Sequence, residues 1–333
     1  MILILSRPED LSTDTVCDWI SALGGRYLRI NEADLRTSHF PFTLRRTENG
    51  TSSIRFGFDA LSYNPDEINV IWFRKWYFYR DFDEYFTLTD NKVWASTLVN
   101  HMQKEQAAIG DAFFDTLSDK HWLDNPIDVR RNKKQKQLDL AAKAGLLVPD
   151  SLITNSREEA KKFLAEKGRI ISKPLSDIVR FNGENYVYIT FTREVTDELL
   201  INSPEFFFTS LFQELIEKRA DIRVFYLDGK VFAMAIFSQA DPRTSFDFRN
   251  YIHDKPNRAV PYRLPFSVIE SIRFLMNSLS LATGSIDLIH SKKGEYIFLE
   301  VNPMGQFGMT SIPCNYQLEK KIAQYLIKYD KQN

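Results

Sequence analysis

The chain has 333 residues, of which 44% are hydrophobic and 26% are charged, and its formal net charge is −1. This composition is typical of a globular protein long enough for two or three packed units. The nearly neutral charge predicts no general attraction to nucleic acid or to an anionic membrane. The apolar run of four residues at the start is too short for a signal peptide or a membrane span. Cys17 and Cys314 match neither a disulfide framework nor a metal-ligand spacing, so a cytoplasmic protein is expected.

The first part of the chain has the pattern of a small α/β unit. Short apolar runs predict strands, and apolar residues spaced to one face predict helices between them. The predicted elements are strands at 2–5, 27–30 and 70–74 and helices at 13–23 and 90–114. Strands that alternate with helices favour a parallel sheet.

A polar stretch with one proline at residues 123–131 predicts a domain boundary. The elements predicted beyond it are helices at 132–144, 157–167 and 267–281 and strands at 152–154, 169–173, 211–216, 221–227, 230–237, 285–290 and 295–301. Asp228-Gly229 and the region of Lys293-Gly294 are turn signals, so the last four strands are predicted to form two hairpins.

The second hairpin carries acidic residues in an apolar setting. If Lys293 and Gly294 are the central turn residues, Asp287 lies opposite Glu300, and directly opposed Cβ atoms are about 5 Å apart. Asn302 follows Glu300 by two residues and shares its face of the strand. The pattern therefore predicts two carboxylates and one amide oxygen that converge from adjacent strands.

Two carboxylates so close repel each other, and a hard divalent cation relieves that repulsion. Magnesium prefers oxygen ligands and completes its shell with substrate phosphates. The alternative is a solvated hairpin with scattered charges. The metal site is favoured because the neighbouring residues are apolar, and acidic groups among them need a partner.

Two lysines and a short strand are further candidates. Lys173 ends an apolar strand and precedes Pro174, where an ammonium could bind a nucleotide phosphate or could simply be exposed. Lys134 lies in a basic run at the start of a helix, which by itself predicts a solvated helical face. Residues 211–216 could offer backbone groups to a flat base.

The order of these motifs resembles that of the ATP-grasp ligases. The matching segments are Lys134 with Leu138 and AAKAGLLVP, ISKP at Lys173, QELIEKRADIRVF, and IDL with FLEVNPMGQ. Over nearly the whole chain the resemblance is to the graspetide synthetases, peptide maturases of the grasp-with-spasm and microviridin type. The segments LILSRPEDLSTDTVCDWI and SQADPRTSFDFRNY also look like that subfamily.

The resemblance implies an α/β ATP-grasp fold preceded by a pre-ATP-grasp α/β domain. The expected division is an N-terminal domain at 1–125, a central small lobe at 126–212 and a C-terminal lobe with the metal site at 213–333. ATP is expected between the last two parts. Residues 174–186, which follow Lys173, contain a single glycine, fewer than the loops that many ATP-grasp enzymes close over the phosphates.

Site residues follow from the same resemblance. Lys134 and Lys173 match phosphate-binding lysines, and Asp221 matches a ribose-side residue. The adenine hinge matches Gln213, Glu214, Leu215 and Ile216. The ligands of two magnesium ions match Asp287, Glu300 and Asn302, with Glu300 as the ligand that bridges the two ions.

The acceptor side is implied by basic residues near the expected phosphates. Arg223 and Arg249 match positions with a catalytic and substrate-binding role, and Arg243 and Asp247 are further substrate-side candidates. Arg223 follows Asp221 by two residues, so in a strand both side chains point the same way. The alternative is that the loop arginines form surface ion pairs with Asp241 and Asp247, which contribute little.

The implied reaction uses ATP and Mg²⁺ to activate Asp or Glu side chains of a ribosomal precursor peptide as acyl phosphates. Side-chain hydroxyls or amines of the same peptide then close esters or amides, while a leader segment docks elsewhere. No nucleic-acid or membrane partner is expected, and a homodimer is allowed. One alternative is an ATP-grasp ligase that adds amino acids to a protein or small molecule; a non-catalytic nucleotide-binding scaffold is another.

Overall fold

A computed structural model describes residues 1–332 except 37–41, 50–51, 59–60, 64, 77–90, 177–179, 183–186, 191, 242–243, 245 and 249–255. The chain divides into two compact units, one of Met1–Val129 with Gln317–Asn333 and one of Arg130–Tyr316. The expected three-part division at residues 125 and 212 stays a prediction. Residues 317–333, which that division gave to the last lobe, belong to the first unit instead.

The elements as far as residue 131 are strands β1 (Ile2–Ser6), β2 (Tyr27–Asn31), β3 (Phe42–Arg46), β4 (Ser52–Phe58), β5 (Leu61–Tyr63), β6 (Val70–Phe73) and β7 (His121–Leu123), and helices α1 (Leu11–Ala22), α2 (Lys92–Thr116) and α3 (Pro126–Arg131). Four of the strands form a parallel sheet in the order β2-β1-β6-β7. All five residues of β1 are buried, as expected where both faces of a parallel sheet are covered. The predicted parallel α/β unit is confirmed.

The following elements are helices α4 (Lys134–Lys143), α5 (Arg157–Lys167), α6 (Asp197–Ile201), α7 (Phe266–Ser278) and α8 (Gly308–Cys314), and strands β8 (Ser151–Ser156), β9 (Ile170–Lys173), β10 (Arg180–Asn182), β11 (Val187–Ile189), β12 (Arg193–Val195), β13 (Phe206–Glu214), β14 (Lys218–Leu227), β15 (Lys230–Phe237), β16 (Arg258–Tyr262), β17 (Thr283–Ser291) and β18 (Tyr296–Asn302). Nine of these strands build two antiparallel sheets, with the orders β12-β9-β13-β8 and β16-β15-β14-β17-β18, and β10 and β11 form a separate antiparallel pair.

The last helix, α9 (Leu318–Gln332), packs on α1 and β6. Its position is fixed at the far end by the N-terminal ammonium of Met1, which forms an ion pair of 2.6 Å with Asp330. The side-chain amide of Asn69 donates to the same carboxylate at 2.9 Å. Such contacts join residues that are far apart in the chain, and short-range sequence patterns do not contain them.

Both predicted hairpins are present. Leu227 pairs with Lys230 across Asp228-Gly229, and both turn residues have positive φ, 46° and 80°, as a two-residue hairpin turn requires. In the β14 strand every residue except Arg219 is buried. The five-stranded sheet therefore carries the charged residues of β14 into a covered environment.

No helix among the residues that the structure describes is long and apolar enough to cross a membrane.

Candidate active site

Two adjoining cavities open within the second unit, and both are lined by residues of its two sheets. The first has a volume of about 310 Å³ and is lined by the hinge residues Gln213, Glu214, Leu215 and Ile216, by Lys173 and Asp221, and by apolar residues that include Ile171 and Ile289. The second has a volume of about 350 Å³ and is lined by Lys134, Lys173, Asp221, Asp247, Asp287, Glu300 and Asn302 among others. Lys173 and Asp221 line both cavities. The structure thus brings the residues predicted for ATP and for magnesium to one place.

The β17–β18 hairpin places the predicted metal ligands as expected. Asp287 pairs with Glu300 and Ser285 pairs with Asn302, so the prediction that Asp287 faces Glu300 is confirmed. The turn is one residue longer than predicted, because Ser291 rather than Lys292 lies opposite Glu295. A bulge between the pairs Leu288–Phe298 and Asp287–Glu300 shifts the pairing back by one residue, so that the predicted register is reached at Asp287.

The bulge has a direct effect on the cavity. A bulge sets two residues of one strand against one residue of its partner, and here the additional residue is Leu299. Leu299 and Glu300 both line the second cavity, although in a regular strand they would point to opposite faces. The bulge therefore adds an apolar wall next to the carboxylate of Glu300.

Cationic side chains hold both carboxylates of the hairpin. Arg223 Nη1 donates to Oδ1 and Oδ2 of Asp287, at 2.6 Å in each case, and the two side chains are 9% and 13% exposed. Lys134 Nζ lies 3.1 Å from Glu300 Oε2 and donates to the carbonyl of Ser176 at 2.9 Å. The helix that begins at Lys134 thereby faces the edge of β18, and the solvated helical face considered for this lysine is wrong.

Gln137, one turn after Lys134, binds the backbone of β18 between two predicted metal ligands. Its Nε2 donates to the carbonyl of Val301 at 2.8 Å, and its Oε1 accepts from the N–H of Val301 at 2.8 Å. Gln137 is 2% exposed, and it also donates to the carbonyl of Asn132 at 3.0 Å. This side chain takes the place of a neighbouring strand at the edge of the sheet, and it fixes the position of Val301.

Asp221 is held by the protein on both carboxylate oxygens. Lys218 Nζ donates to Oδ1 at 2.7 Å and Ser238 Oγ donates to Oδ2 at 2.5 Å. Burial raises the pKa of Asp221, and the Lys218 charge and these two hydrogen bonds offset part of that rise. Lys218, which lines the first cavity, was not identified from the sequence.

A second bulge brings Lys218 to the side of the strand that carries Asp221. The pairing of β14 with β17 shifts between Lys218 and Ala220, so Lys218 and Asp221 reach the same side although they are three residues apart. Arg219, the bulged residue, is exposed and donates from Nε and Nη2 to the carbonyl of Lys292 at 3.1 and 2.7 Å. Strict alternation along the strand would have placed Lys218 and Asp221 on opposite faces.

The predicted hinge connects the two sheets. Strand β13 ends at Glu214 and β14 begins at Lys218. The backbone N–H of Glu214 donates to the carbonyl of Asp150, and the backbone N–H of Leu215 donates to the carbonyl of Arg169, each at 3.0 Å. These bonds fix the backbone where the hinge lines the first cavity.

The loop predicted to bind the acceptor is described only in part. Asp247 is buried, with 7% of its surface exposed, and lines the second cavity. Arg243 and Arg249 lie outside the described residues, as do 177–179 and 183–186 of the segment expected to cover the phosphates. The acceptor roles of Arg223, Arg243, Asp247 and Arg249 remain predictions.

The oxygen donors of the hairpin suit a magnesium ion. Within the described part of the chain no three His, Cys, Asp or Glu side chains form a metal-binding group. An ion here would therefore be held by two carboxylates and the amide oxygen of Asn302, with phosphate and water oxygens completing its shell. Magnesium binds in this way more often than in an all-protein cage. The donor set fits the predicted ion.

Comparison with known proteins identifies the family. The model of the RimK-like ATP-grasp domain matches residues 131–326. A search of curated proteins found no match.

Several solved structures have the same fold. A RiPP-associated ATP-grasp ligase from Chryseobacterium gregarium, in complex with ADP and a leader and core peptide, is 24% identical, with 98% of this chain and 96% of that chain covered and a TM-score of 0.83. The macrocyclase MdnC from Microcystis aeruginosa MRC, bound with precursor peptide MdnA, is 25% identical over 98% and 100% of the two chains, with a TM-score of 0.80. The ATP-grasp ligase PsnB, complexed with a phosphomimetic variant of its minimal precursor, Mg and ADP, is 22% identical over 98% of each chain, with a TM-score of 0.73. The fold, the converged site and the matching family model agree, and this chain belongs to the RimK-like ATP-grasp family.

Proposed function

We propose that this protein is an ATP- and Mg²⁺-dependent ligase that closes side-chain esters or amides in a ribosomally made precursor peptide. The observation that carries the proposal is the convergence of Lys134 and Lys173 with Asp287, Glu300 and Asn302 around one cavity. The solved structures with this fold include ligases bound to precursor peptides and to ADP. We place the reaction in the cytoplasm, where ATP is available.

The nucleotide would occupy the two adjoining cavities. Its base fits the first cavity, whose lining includes the apolar residues Ile171 and Ile289, beside residues Gln213 to Ile216. The strands β8 and β9 hold the backbone of β13 there. Its phosphates would extend past Lys173, which lines both cavities, toward Lys134. Asp221 lines both cavities and its partner Lys218 lines the first, so Lys218 is a further candidate for contact with the nucleotide.

The chemistry follows from the poor reactivity of a carboxylate. A carboxylate oxygen of the peptide attacks the γ-phosphorus of ATP, the bond to the ADP oxygen breaks, and an acyl phosphate forms. A hydroxyl or amine of the same peptide then attacks the acyl carbon, releases inorganic phosphate and loses a proton. Each link removes the elements of one water from the peptide. Magnesium ions would neutralise charge that develops on the transferred phosphoryl group.

This chain's own residues would position the reactants. The ammonium groups of Lys134 and Lys173 place fixed positive charge where phosphate charge builds. Arg223 lies on Asp287 with its Nε buried and without a hydrogen-bond acceptor among the described residues. We assign that donor to the incoming carboxylate, and we keep Arg243, Asp247 and Arg249 as predicted substrate-side residues.

A mass measurement tests the proposal. The purified protein is incubated with ATP, MgCl₂ and a short peptide rich in Thr, Ser, Asp and Glu that is encoded next to its gene. We expect the peptide to lose one water mass per link and ADP to accumulate in step with the links. The Lys173→Met variant and a reaction with non-hydrolysable ATP should leave the peptide unchanged.

Other outcomes separate the alternatives. A gain of an amino-acid residue mass, in the presence of free amino acids, would identify a ligase that extends its substrate. If no ADP forms with any acceptor peptide although ATP binds, the protein is a nucleotide-binding scaffold and the proposal is wrong.

A further inference from the structure

A chain of hydrogen bonds runs from Asp221, which lines both cavities, into the loop that carries Asp247. Ser238 directly follows β15 and is fully buried, and its Oγ donates to Asp221 Oδ2 at 2.5 Å. The carbonyl of the same serine accepts from Thr244 Oγ1 at 2.6 Å. Ser238 therefore binds a cavity residue through its side chain and the following loop through its backbone.

Thr244 is fixed by several contacts. It is 1% exposed, and its backbone N–H donates to the carbonyl of Asp241 at 3.1 Å. Its Oγ1 lies 2.6 Å from the carbonyl of Ser238, and 3.1 Å from both the carbonyl of Asp241 and Oδ1 of Asn257. Because a hydroxyl has only one hydrogen to donate, the nearest acceptor, the buried carbonyl of Ser238, makes the strongest of these contacts.

Asn257 holds the loop at a second point. Its Nδ2 donates to the carbonyl of Phe248 at 2.9 Å, and Phe248 packs against buried residues of β15. Side-chain bonds of this kind supply partners to backbone groups that no helix or strand satisfies. Thr244 and Asn257 thus anchor the chain on either side of Phe246 and Asp247.

The two residues between these anchors line the cavities. Phe246 lines both cavities, and Asp247, which is 7% exposed, lines the second one. Burial raises the pKa of Asp221, and the nearby charge of Asp247 adds to that rise. Since two carboxylates at close range repel each other, the position of Asp247 depends on the bonds that hold its segment.

We propose that Thr244 and Asn257 are positioning residues for the acceptor peptide, because they hold Phe246 and Asp247 as a wall of the second cavity against which the peptide binds. Neither Thr244 nor Asn257 is among the residues that line the two cavities, so each acts through the segment and not by contact with a substrate. The peptide as the bound partner rests on the proposed function, whereas the anchoring of the segment does not.

Thr244→Val tests the role in peptide binding, since it removes the hydroxyl and keeps the branched shape. We expect the KM for the precursor peptide to rise about tenfold, which corresponds to about 1.4 kcal/mol and to the loss of one hydrogen bond. The kcat and the Kd for ATP should change by less than about twofold, the pattern of lost substrate binding. Thr244→Ser keeps the hydroxyl and should restore the KM. Rates of ADP release and calorimetry measure these constants.

Limited proteolysis measures the anchoring without turnover. Chymotrypsin cleaves after aromatic residues, and cleavage after Phe248 should be about tenfold faster in Thr244→Val, since the segment opens more often. The matched control is Thr283→Val, because Thr283 is 7% exposed and its hydroxyl donates to the carbonyl of Tyr226 at 3.0 Å. This control should lose similar thermal stability but keep the wild-type KM and the wild-type rate of cleavage after Phe248.

A second variant covers the case in which Thr244→Val does not fold, as judged by circular dichroism. Asn257→Ala removes the hydrogen bond to the carbonyl of Phe248. It should increase both the KM for the peptide and the cleavage after Phe248, because it releases the other anchor of the same segment.

Three results would overturn the inference. They are a wild-type KM or wild-type cleavage in the anchor variant, an equal rise of the KM in Thr283→Val, and a Thr244→Ser variant that is as impaired as Thr244→Val. Failure of the proposed function is distinguishable. Wild-type protein would then leave the precursor peptide unmodified, while cleavage after Phe248 would still depend on Thr244.

Discussion

The five-stranded and the four-stranded sheet of the ATP-grasp unit differ in how deeply their charged residues are buried. In the five-stranded sheet, Asp221, Arg223 and Asp287 are buried, and each has a charged partner within 2.7 Å. In the four-stranded sheet, Lys173 stands half-buried at the end of β9, and β8 alternates between exposed and half-buried residues.

This difference in burial predicts different effects of substitution on stability. A buried ion pair contributes little net stability when intact but costs several kcal/mol when one partner is removed. We therefore expect substitution of the buried charges in the five-stranded sheet to affect both folding and activity, and substitution of the half-buried Lys173 to affect folding less. Substitutions in the two sheets should reveal this contrast.

The largest expected effect is that of Asp287→Asn. It keeps the shape of the side chain but leaves Arg223 buried without its counter-charge, so the free energy of unfolding should fall by about 3–5 kcal/mol. Peptide modification should be lost as well. Urea denaturation and mass spectrometry measure the two effects.

A double variant tests the cause of that instability. Asp287→Leu with Arg223→Met removes both charges, and such replacements of buried ion pairs are often neutral or stabilising. We expect stability to return while peptide modification stays absent. If Asp287→Asn alone is as stable as wild type, the contrast between the sheets is wrong.

Glu300→Gln should lose activity with little loss of stability. The side chain of Glu300 is 20% exposed and that of its partner Lys134 is 22% exposed, so water can solvate the Lys134 ammonium when the carboxylate is removed. Loss of a carboxylate from the metal site should lower turnover by about a thousandfold, since metal stabilisation of transition-state charge is worth several kcal/mol and each 1.4 kcal/mol is tenfold in rate.

Glu295→Gln is the matched control for that variant, because Glu295 lies at the exposed turn of the same hairpin. Turnover is followed as ADP release over a range of MgCl₂ concentrations, and stability by thermal unfolding. Normal turnover of Glu300→Gln at low magnesium would remove Glu300 from the metal site.

Lys173→Met should weaken ATP binding and leave the fold intact. A lysine that binds phosphate through a charge-assisted hydrogen bond contributes about 1.5–3 kcal/mol, so the Kd for ATP should rise about 10- to 100-fold. Calorimetry measures the Kd. Lys162→Met on α5, which removes an exposed lysine paired with Glu158 and Glu159, should bind ATP like wild type. Equal affinity of the two variants would show that Lys173 does not contact the phosphates.

The sequence allowed the carboxylate hairpin to be predicted because its information is local. A turn signal and acidic residues in apolar strands were enough to oppose Asp287 to Glu300. The prediction was correct although the turn is longer and a bulge at Leu299 compensates for it. The longer turn and the bulge shift the pairing by one residue in opposite directions, so their effects cancel. The alternation of apolar and polar residues along the strands indicated neither of them.

Other parts of the site depend on contacts between distant segments. The approach of Lys218 to Asp221 requires a bulge at Arg219, whose guanidinium binds the carbonyl of Lys292 far along the chain. Gly305 illustrates the same point. A Cβ at this position would lie 2.4 Å from the Cβ of Ser285, the residue that pairs with Asn302. The glycine was noticed only as part of a family motif, and its physical reason is a close approach that no spacing in the sequence indicates.

The smallest expected effect concerns Gln137, which no charge marks as part of the site. Gln137→Met preserves the length of the side chain but removes both hydrogen bonds to Val301. Because buried groups are left without partners, the free energy of unfolding should fall by about 1–3 kcal/mol. Freed from α4, the edge of β18 would hold Glu300 and Asn302 less firmly. We expect the magnesium concentration for half-maximal turnover to rise several-fold.

The control for Gln137→Met has to lose a similar buried hydrogen bond without touching β18. Asn132→Leu does so, because Asn132 Nδ2 donates to the carbonyl of Leu279 at 2.7 Å and the residue is 7% exposed. Its stability should fall by a similar amount while its magnesium requirement stays that of wild type. An increased requirement in Gln137→Met alone would identify Gln137 as a positioning residue for the metal ligands. If both variants change stability and magnesium requirement together, Gln137 contributes to the fold and has no separate effect on the metal ligands, since a general loosening of α4 would then explain both results.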